Sequence, residues 1–460
     1  MPNLLRFHGG VHPHDDEKPR TRGLPIETAA APATAVLPLL QHIGAPSKPV
    51  VKKGDQVLRG QAVAEAGGFV SVPVHSPVSG KVADVGKCLH PLGMSVDAVV
   101  IENDGRDASV PGFGEPVDAS SLDAKAIRDR IRDAGICGMG GAGFPTHVKL
   151  SPPADKPVDT LVVNGAECEP ALSADHRLML EHAEGVASGV RLLQRALARD
   201  GRLPKTFLAV EENKPDAAAA MRSACSKLSV DCEVVELPVR YPQGAEKQLI
   251  YALTGRKVPP QSERGLPMDV SVVVQNVGTA FAVHEALERG KPLVERVLTV
   301  AGDAVGRAAN VRARIGTPIA ELLAARDVSP GPTRLVLGGP MMGLAQFTDE
   351  LPVMKTTSGV LVERREEEEP DRFGPCIRCA RCVEACPMQL VPTRLSVLAE
   401  AGLFDAMAEW GVVDCIECGC CAYVCPARRP IVHQVKLGKW MLGQAQKKAA
   451  AAAAAKGGAS

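Results

Sequence analysis

The sequence predicts a multidomain α/β protein with a small helical domain towards its C-terminal end, and three observations carry that expectation. A chain of 460 residues is too long for one hydrophobic core and should divide into about three domains. Through its middle, β-prone runs alternate with helical ones, the pattern of a mainly parallel sheet with helices packed on it. Near the C-terminus the run Cys-x-x-Cys-x-x-Cys-x-x-x-Cys-Pro occurs twice, at Cys376, Cys379, Cys382 and Cys386 and at Cys415, Cys418, Cys421 and Cys425.

From about residue 36 to 105, short β-prone pieces alternate with glycine turns (PVVKKGDQVLRGQAVAEAG, VHSPVSGKVADVG, VDAVVIENDG), which predicts a small all-β domain. Gly54-Asp55, Gly60-Gln61 and Ser76-Pro77-Val78-Ser79-Gly80 look like the barrel-sandwich hybrid of lipoyl and biotinyl carriers. A carrier offers a lysine at the tip of a hairpin, and Gly67-Gly68-Phe69 holds none, so structural use of the fold is favoured over a swinging arm. Residues 121–134 place Leu122, Ile127, Ile131 and Ala134 on one helical face, with Ser120 or Ser121 as cap and Gly135 as stop. Strands are then expected at 159–164, 205–211, 233–237 and 271–275, and helices at about 176–199, 215–228, 244–254 and 279–289. A second mixed segment at about 296–362 carries RVLTVAG, RLVLGG and GVLVER around a helix near 318–326. RREEEEP at 364–370 reads as a charged linker, and the alanine-rich end as a low-complexity, disordered tail from 444. The expected domains are 1–115 (β), 116–290 (α/β), 291–362 (small mixed), 363–443 (cysteine runs) and the tail 444–460.

Composition excludes several functions. Lysine plus arginine equals aspartate plus glutamate at 53 each, so no overall basic field draws in a nucleic acid or an anionic membrane. Aromatic residues make up 3% of the chain, too few to stack many bases. The N-terminal stretch lacks the apolar core of a secretory signal and no apolar run is long enough to span a bilayer, so a soluble, cytoplasmic chain is expected. Fourteen cysteines in such a chain point to reduced thiols serving a metal. Cys88, Cys137, Cys168, Cys225, Cys232 and Cys420, outside the two runs, read as ordinary buried thiols.

The two runs have the spacing that ligates two [4Fe–4S] clusters. Three thiolates on a short turn converge on one cubane, while the fourth, followed by Pro387 or Pro426, departs towards the other cluster. Cys425 is therefore expected on the first cluster and Cys386 on the second. Structural zinc knuckles are the alternative, but zinc sites use wider, paired spacings and have no need of the trailing prolines.

The remaining chemistry lies in a glycine loop, Gly138-Met139-Gly140-Gly141-Ala142-Gly143-Phe144-Pro145-Thr146, with Lys149 beyond it. The literal G-x-G-x-x-G is a weak signal, because a dinucleotide fingerprint follows a strand directly and here a helix precedes it. A flexible turn is the plain reading. Yet four glycines clear space for a planar ring or phosphate against the backbone, and Lys149 adds a positive charge. Asn164-Gly165-Ala166-Glu167-Cys168-Glu169-Pro170 follows at a strand end, where open α/β sheets bind ligands. Its amide and acids suit hydroxyl-rich ligands, or simply a satisfied turn.

Taken together, GxGGAGFPT with Lys149, NxxExEP, Tyr241-Pro-Gln-Gly244-Ala-Glu246 and Gln275-Asn276-Val277-Gly278-Thr279 resemble the flavin- and NADH-binding subunit of respiratory complex I. The opening FHGGVHPHDDEKPRT, the stretch PLLQHIGAPSKPVVKKGD and the doubled cysteine runs narrow the resemblance to the C subunits of Rnf ion-translocating electron-transport complexes (Rsx in some bacteria), over nearly the whole chain.

The resemblance implies a barrel-sandwich-hybrid domain, a complex I flavoprotein-like FMN domain, a β-grasp (soluble-ligand-binding) module around residues 310–317 and a helical ferredoxin domain. It implies non-covalent FMN, with Gly138, Gly140, Gly141, Gly143 and Lys149 as cradle and Asn164 and Asn276 as flavin-contacting amides. Glu167, Glu169 and Glu246 would line the flavin and nicotinamide site, with Tyr241, Gly244 and Thr279 completing the cofactor-binding set. Ala166 and Ala245 stand where complex I has acids, so some contacts must differ. Phe144 is read either as packing near the adenine or as a buried aromatic. The implied activity is that of an NADH-oxidising translocase subunit, working with membrane subunits and an iron–sulfur subunit, and indirectly with ferredoxin, peripheral on the cytoplasmic side of the membrane. An electron-transfer adaptor without NADH oxidation, and a complex keeping an iron–sulfur transcription factor reduced, are the alternatives.

Overall fold

A computed structural model describes residues 5–14, 17–365 and 373–457, with side chains to 449. The chain divides by contact into two units: the described residues of Met1–Pro13, Val239–Val270 and Glu368–Ser460 form one, and His14–Pro238 with Ser271–Glu367 the other. This division cuts across the sequence-expected domains at two places, since residues 5–13 and the 239–270 segment fold with the cysteine runs.

The larger unit contains three β-structures. Two small sheets face each other near the N-terminus, one of Thr34–Pro38, Ser95–Asn103, Gly80–Leu89 and Gln56–Val57, the other of Lys48–Pro49, Ala62–Glu65 and Val74–His75. Their inward side chains, among them Leu37, Val57, Val63, Val82 and Ile101, are buried. This is the barrel-sandwich arrangement that the glycine turns predict.

The central sheet is wholly parallel, in the order Glu233–Leu237, Lys205–Glu211, Thr160–Gly165, Val272–Asn276. Continuous valine and leucine runs form it because both faces are covered by helices. The helix Ala124–Asp133 packs on Ala183–Ala196, which packs on Val277–Glu288. The cap of the first helix is corrected: Asp123, not Ser120 or Ser121, accepts from the Ala126 amide. The expected helix at 176–199 is two, Ala174–Glu181 and Ala183–Ala196, separated at His182, whose φ of −129° is not helical.

The third sheet has the order Glu27–Thr28, Ala309–Arg314, Glu295–Ala301, Gly359–Arg364, Thr333–Leu337, Leu344–Gln346. A hairpin, the helix Ile319–Ala324 and a second antiparallel pair, with the two central strands parallel, make the β-grasp topology. Asn310, buried inside it, donates to the Thr21 carbonyl and Ser173 Oγ and accepts from Thr299 Oγ1. Its role is structural.

In the smaller unit the helices Pro392–Glu400 and Phe404–Glu409 lie between the cysteine runs, and Ile431–Gly457 follows them. Leu395, Leu398, Met407, Val412, Ile431 and Val435 form their core. The disordered tail expected from 444 is corrected, because the last helix continues to Gly457; alanine is the strongest helix former, and a helix already nucleated extends at little cost. Of the expected linker, residues 366–370 lie outside the described residues.

Candidate cofactor sites

The parallel sheet reverses its strand order between Thr160–Gly165 and Val272–Asn276, and Asn164 and Asn276 are register partners at the C-terminal ends of those strands. In an open α/β sheet this is the crevice where ligands bind. The glycine loop closes over it. The Gly138 amide donates to the Phe144 carbonyl (2.8 Å), the Met139 amide donates to Thr279 Oγ1 (3.0 Å), and a Cβ on Gly140 would stand 3.1 Å from that of Asn276. Thr279 thus ties the loop to the helix that follows the switch-point strand.

Gly141 has φ +124°, and a Cβ built on it would meet no atom within 4 Å. The loop therefore presents bare backbone to open space at its tip, in a conformation that only glycine adopts readily. A planar ring or phosphate brought against that backbone fits; a side chain in the same place would exclude it.

Other predicted residues have definite partners. Asn164 Oδ1 accepts from the Ala166 amide, while Asn276 accepts from Gly278 N–H and donates to Asp175 (2.7 Å). The Lys149 ammonium donates to the Val274 carbonyl at the sheet, and a single helical turn, Thr146–Lys149, follows the loop. Glu167 accepts from the Asp175 and His176 amides, at the start of the helix Ala174–Glu181. Glu169 accepts from the amides of Met341 and Met342 at 2.6 and 2.9 Å, so it fastens the turn between the strands Thr333–Leu337 and Leu344–Gln346.

Sequence reasoning missed three charged residues here. Asp175 is the acid partner of Asn276. Arg296, buried, donates to the Lys355 carbonyl (2.6 Å) and reaches the Met139 carbonyl (3.5 Å). Lys355, also buried, donates to the carbonyls of Pro73 and Gly135, both at 2.7 Å. Together they brace the loop from beneath and tie it to the barrel-sandwich domain. Burial pushes the Lys355 ammonium down to about 8 and the Arg296 guanidinium down to about 10. Each sits in a β-prone or loop stretch with nothing local to mark it.

Burial, with Asp175 beside it, pushes the Glu167 carboxyl up to about 7. Between its ordinary value and about 7 the folded chain binds more protons than the unfolded one, so this contribution to stability is full below the ordinary value and is lost as pH rises through about 7. The melting temperature is expected to fall between about pH 4.5 and about pH 7, and Glu167→Gln to flatten that slope. An equal slope in the variant would refute the assignment.

Tyr241, Gly244 and Glu246 belong to the other unit, with the cysteine runs. Tyr241 is buried, its hydroxyl donates to the Cys418 carbonyl (2.7 Å), and its backbone exchanges two hydrogen bonds with Val11. The Gly10 amide donates to Ala385, and a Cβ on Gly9 (φ +71°) would come within 2.7 Å of the Cys386 carbonyl. Glu246 opens the helix Glu246–Thr254, two residues later than expected.

The two cysteine runs repeat the same local geometry. Arg378 and Glu417, at equivalent places, have φ near +57°, which turns their amides onto Cys376 Sγ (3.4 Å) and Cys415 Sγ (3.3 Å). Such bonds stabilise thiolates. Cys386, Cys415, Cys418 and Cys421 line one cavity, with Cys420, Leu395, Ile431 and Val435, whereas Cys425 is an electrostatic neighbour of Cys382, as is Cys376. Cys379 is exposed. Among the described residues no three His, Cys, Asp or Glu side chains converge as ligands of a single ion would; in a cubane each thiolate meets a separate iron.

Family comparison follows this geometry. The Nuo51 FMN-binding domain family matches residues 131–285, the RnfC barrel sandwich hybrid domain residues 5–106, and a 4Fe-4S dicluster domain residues 371–426. The chain is 45% identical, over 94% of its length, to the C subunit of the proton-translocating ferredoxin:NAD(+) oxidoreductase complex of Clostridium ljungdahlii, covering 93% of that protein. The chain belongs to the RnfC family. Within that family it is also 44% identical to the C subunit of the Na(+)-translocating complex of Acetobacterium woodii, over 94% of this chain and 96% of that one. Against the C subunit of the ion-translocating oxidoreductase complex of Rhodobacter capsulatus the figures are 41%, 96% and 84%. Among solved structures, an NAD+-reducing [NiFe]-hydrogenase aligns at a TM-score of 0.48 and 23% identity, covering 62% of this chain and 54% of its own. As a member of the RnfC family the chain takes FMN in its α/β domain and two [4Fe–4S] clusters in its C-terminal domain. No helix among the described residues is long and apolar enough to cross a membrane.

Proposed function

We propose that this RnfC-family protein exchanges hydride between NADH and FMN and passes single electrons through its two clusters to partner subunits of an ion-translocating ferredoxin:NAD oxidoreductase. It would work as a peripheral subunit on the cytoplasmic side of the membrane, with membrane subunits and an iron–sulfur subunit as neighbours and ferredoxin further off. The observation that carries this reading is the bare glycine loop closed over the topological switch point of the parallel sheet. FMN, when bound, converts between two-electron hydride chemistry and the one-electron chemistry of clusters.

The rest is the work of the chain's own residues. Gly138, Gly140, Gly141 and Gly143 give a backbone cradle, held down by Thr279 and from beneath by Arg296 and Lys355. Asn164, Asn276 and Lys149 set the polar floor of the crevice, and Glu167 and Glu169 its acidic margin. Tyr241, Gly244 and Glu246 lie in the unit of the cysteine runs, where Tyr241 buttresses the second run. Cys376, Cys379, Cys382 and Cys425 would hold the first cluster and Cys386, Cys415, Cys418 and Cys421 the second, an exchange that the shared cavity supports.

The test is anaerobic titration of the purified chain with NADH, followed by absorption and EPR spectra. Bleaching of the flavin and appearance of cluster signals are expected. Clusters that are reduced by dithionite but not by NADH would leave an adaptor without NADH oxidation.

Glu169→Gln is expected to raise the KM for NADH about ten- to hundred-fold, since weakening a charge-assisted hydrogen bond costs about 1.5–3 kcal/mol. FMN content should be unchanged. A lower melting temperature with unchanged NADH affinity, in stopped-flow flavin reduction, would confine Glu169 to fastening the turn at Met341 and Met342.

A further inference from the structure

The two cysteine runs repeat one backbone geometry but differ in what they show to solvent. In the second run, Glu417 pairs with Lys439 (2.7 Å), Cys420 is buried, and Tyr241 and the Gly9-Gly10 segment cover the backbone of Cys418 and Cys386. The equivalent places in the first run hold Arg378 and Arg381, both exposed, around the exposed Cys379. Arg428 beside Cys425 and Arg394 beside Thr393, whose hydroxyl contacts Cys376 Sγ (3.1 Å), are exposed as well.

None of these four arginines makes an ion pair among the described residues; Arg394 stacks only on Trp410. Glu384 is the lone acid between Cys376 and Cys386. In a chain whose charges balance overall, four cations at one redox centre with no acid partner among the described residues are a local field. Ile377, 65% exposed between Cys376 and Arg378, adds an apolar centre to the charged rim, the anatomy of a transient protein interface.

We propose that the face of the first cysteine run is the electron-exchange port of this protein, and that its occupant is a small iron–sulfur protein or domain with an acidic face. The proposal rests on the reading of the cysteines as cluster ligands. Tunnelling falls steeply with distance, so the exposed cluster is the one through which another protein exchanges electrons. Opposite charge around it raises the encounter rate without demanding tight binding. One electron crosses per encounter, from the reduced cluster of the carrier to the oxidised first cluster; no bond forms and no proton moves.

The test uses the full chain with its clusters, mixed in a stopped-flow instrument with a dithionite-reduced acidic ferredoxin. The second-order rate should fall steeply with added salt. Arg378→Glu with Arg381→Glu should lower it about tenfold or more at low salt, with iron content and reduction by dithionite unchanged. A rate indifferent to salt and to the double variant, in protein of full iron content, would overturn the port while leaving the cluster assignment standing. Loss of iron from the wild-type chain would instead sink the cluster reading itself. Two further outcomes overturn the proposal. One is acceleration when the glutamates at 366–369 are all changed to glutamine with the double variant inert, which would assign the rim to the chain's own acidic run. The other is flotation on phosphatidylglycerol vesicles that the double variant abolishes while the ferredoxin rate stays unchanged, which would assign the rim to a lipid surface.

Discussion

Cys421→Ser is expected to cost the chain half of its iron, from about eight atoms to about four, whereas Cys420→Ser should keep about eight. The two cysteines are adjacent, so the pair tests the ligand register directly. The C-x-x-C-x-x-C spacing uses Cys421, and Cys421 lines the cavity with Cys386, Cys415 and Cys418. Cys420 lines it too, but is fully buried, with its thiol 3.9 Å from the Tyr241 carbonyl in the role of a small core residue. Serine there removes a sulfur from packing and leaves four thiolates for the cubane. Serine at Cys421 leaves three. Iron analysis of anaerobically purified protein with EPR of each variant gives the answer; greater loss in Cys420→Ser, or equal loss in both, would overturn the register.

Gly141→Val is expected to abolish FMN binding while iron stays at the wild-type level. At φ +124° the position sits in a backbone region that β-branched side chains rarely enter, so the loop tip must rearrange. Were it to keep its shape, the new Cβ would meet no protein atom within 4 Å, and the side chain on it would take up space over the cradle. Either outcome removes the surface that the ring or phosphate lies against. Every 1.4 kcal/mol lost is tenfold in affinity, so about 4 kcal/mol is enough to empty the site at micromolar flavin. Iron content is the internal control for folding, because the cysteines belong to the other unit. Flavin fluorescence released on denaturation measures the effect, and a wild-type yield would count against the loop.

The sequence made the fold legible wherever local signals agree with the tertiary outcome. Apolar runs such as those at 161–163 and 272–274 could only be buried strands, and doubled cysteine runs with trailing prolines match the geometry of two cubanes and little else. The glycine loop stands out for the complementary reason, that so many missing side chains need a cause. What stayed hidden depends on contacts between distant segments. Lys355 meets Pro73 and Gly135 across 282 and 220 residues, and nothing near it in the chain announces a buried ammonium. The acids at 167 and 169 were visible as acids, but not as acceptors of backbone amides, because their donors lie on other segments or on a helix start. The Tyr241 hydroxyl bonds the Cys418 carbonyl, 177 residues further along, and nothing near it in the chain announces that contact.

The path of the chain through Val239–Val270 bears on the order in which the protein is made. The strand ending at Leu237 and the strand beginning at Val272 belong to one sheet, but Tyr241 and Ser262 between them find partners at Cys418 and Asp414, 177 and 152 residues further along. The parallel sheet has all four strands once Asn276 has left the ribosome, well before the first cysteine run exists. Until the cysteines follow, Tyr241 and its neighbours have no core to enter. Flavin capacity should therefore be acquired before residues 414–425 exist to shelter the second cluster, so that a product truncated ahead of the cysteine runs would be a flavoprotein and not an iron–sulfur protein.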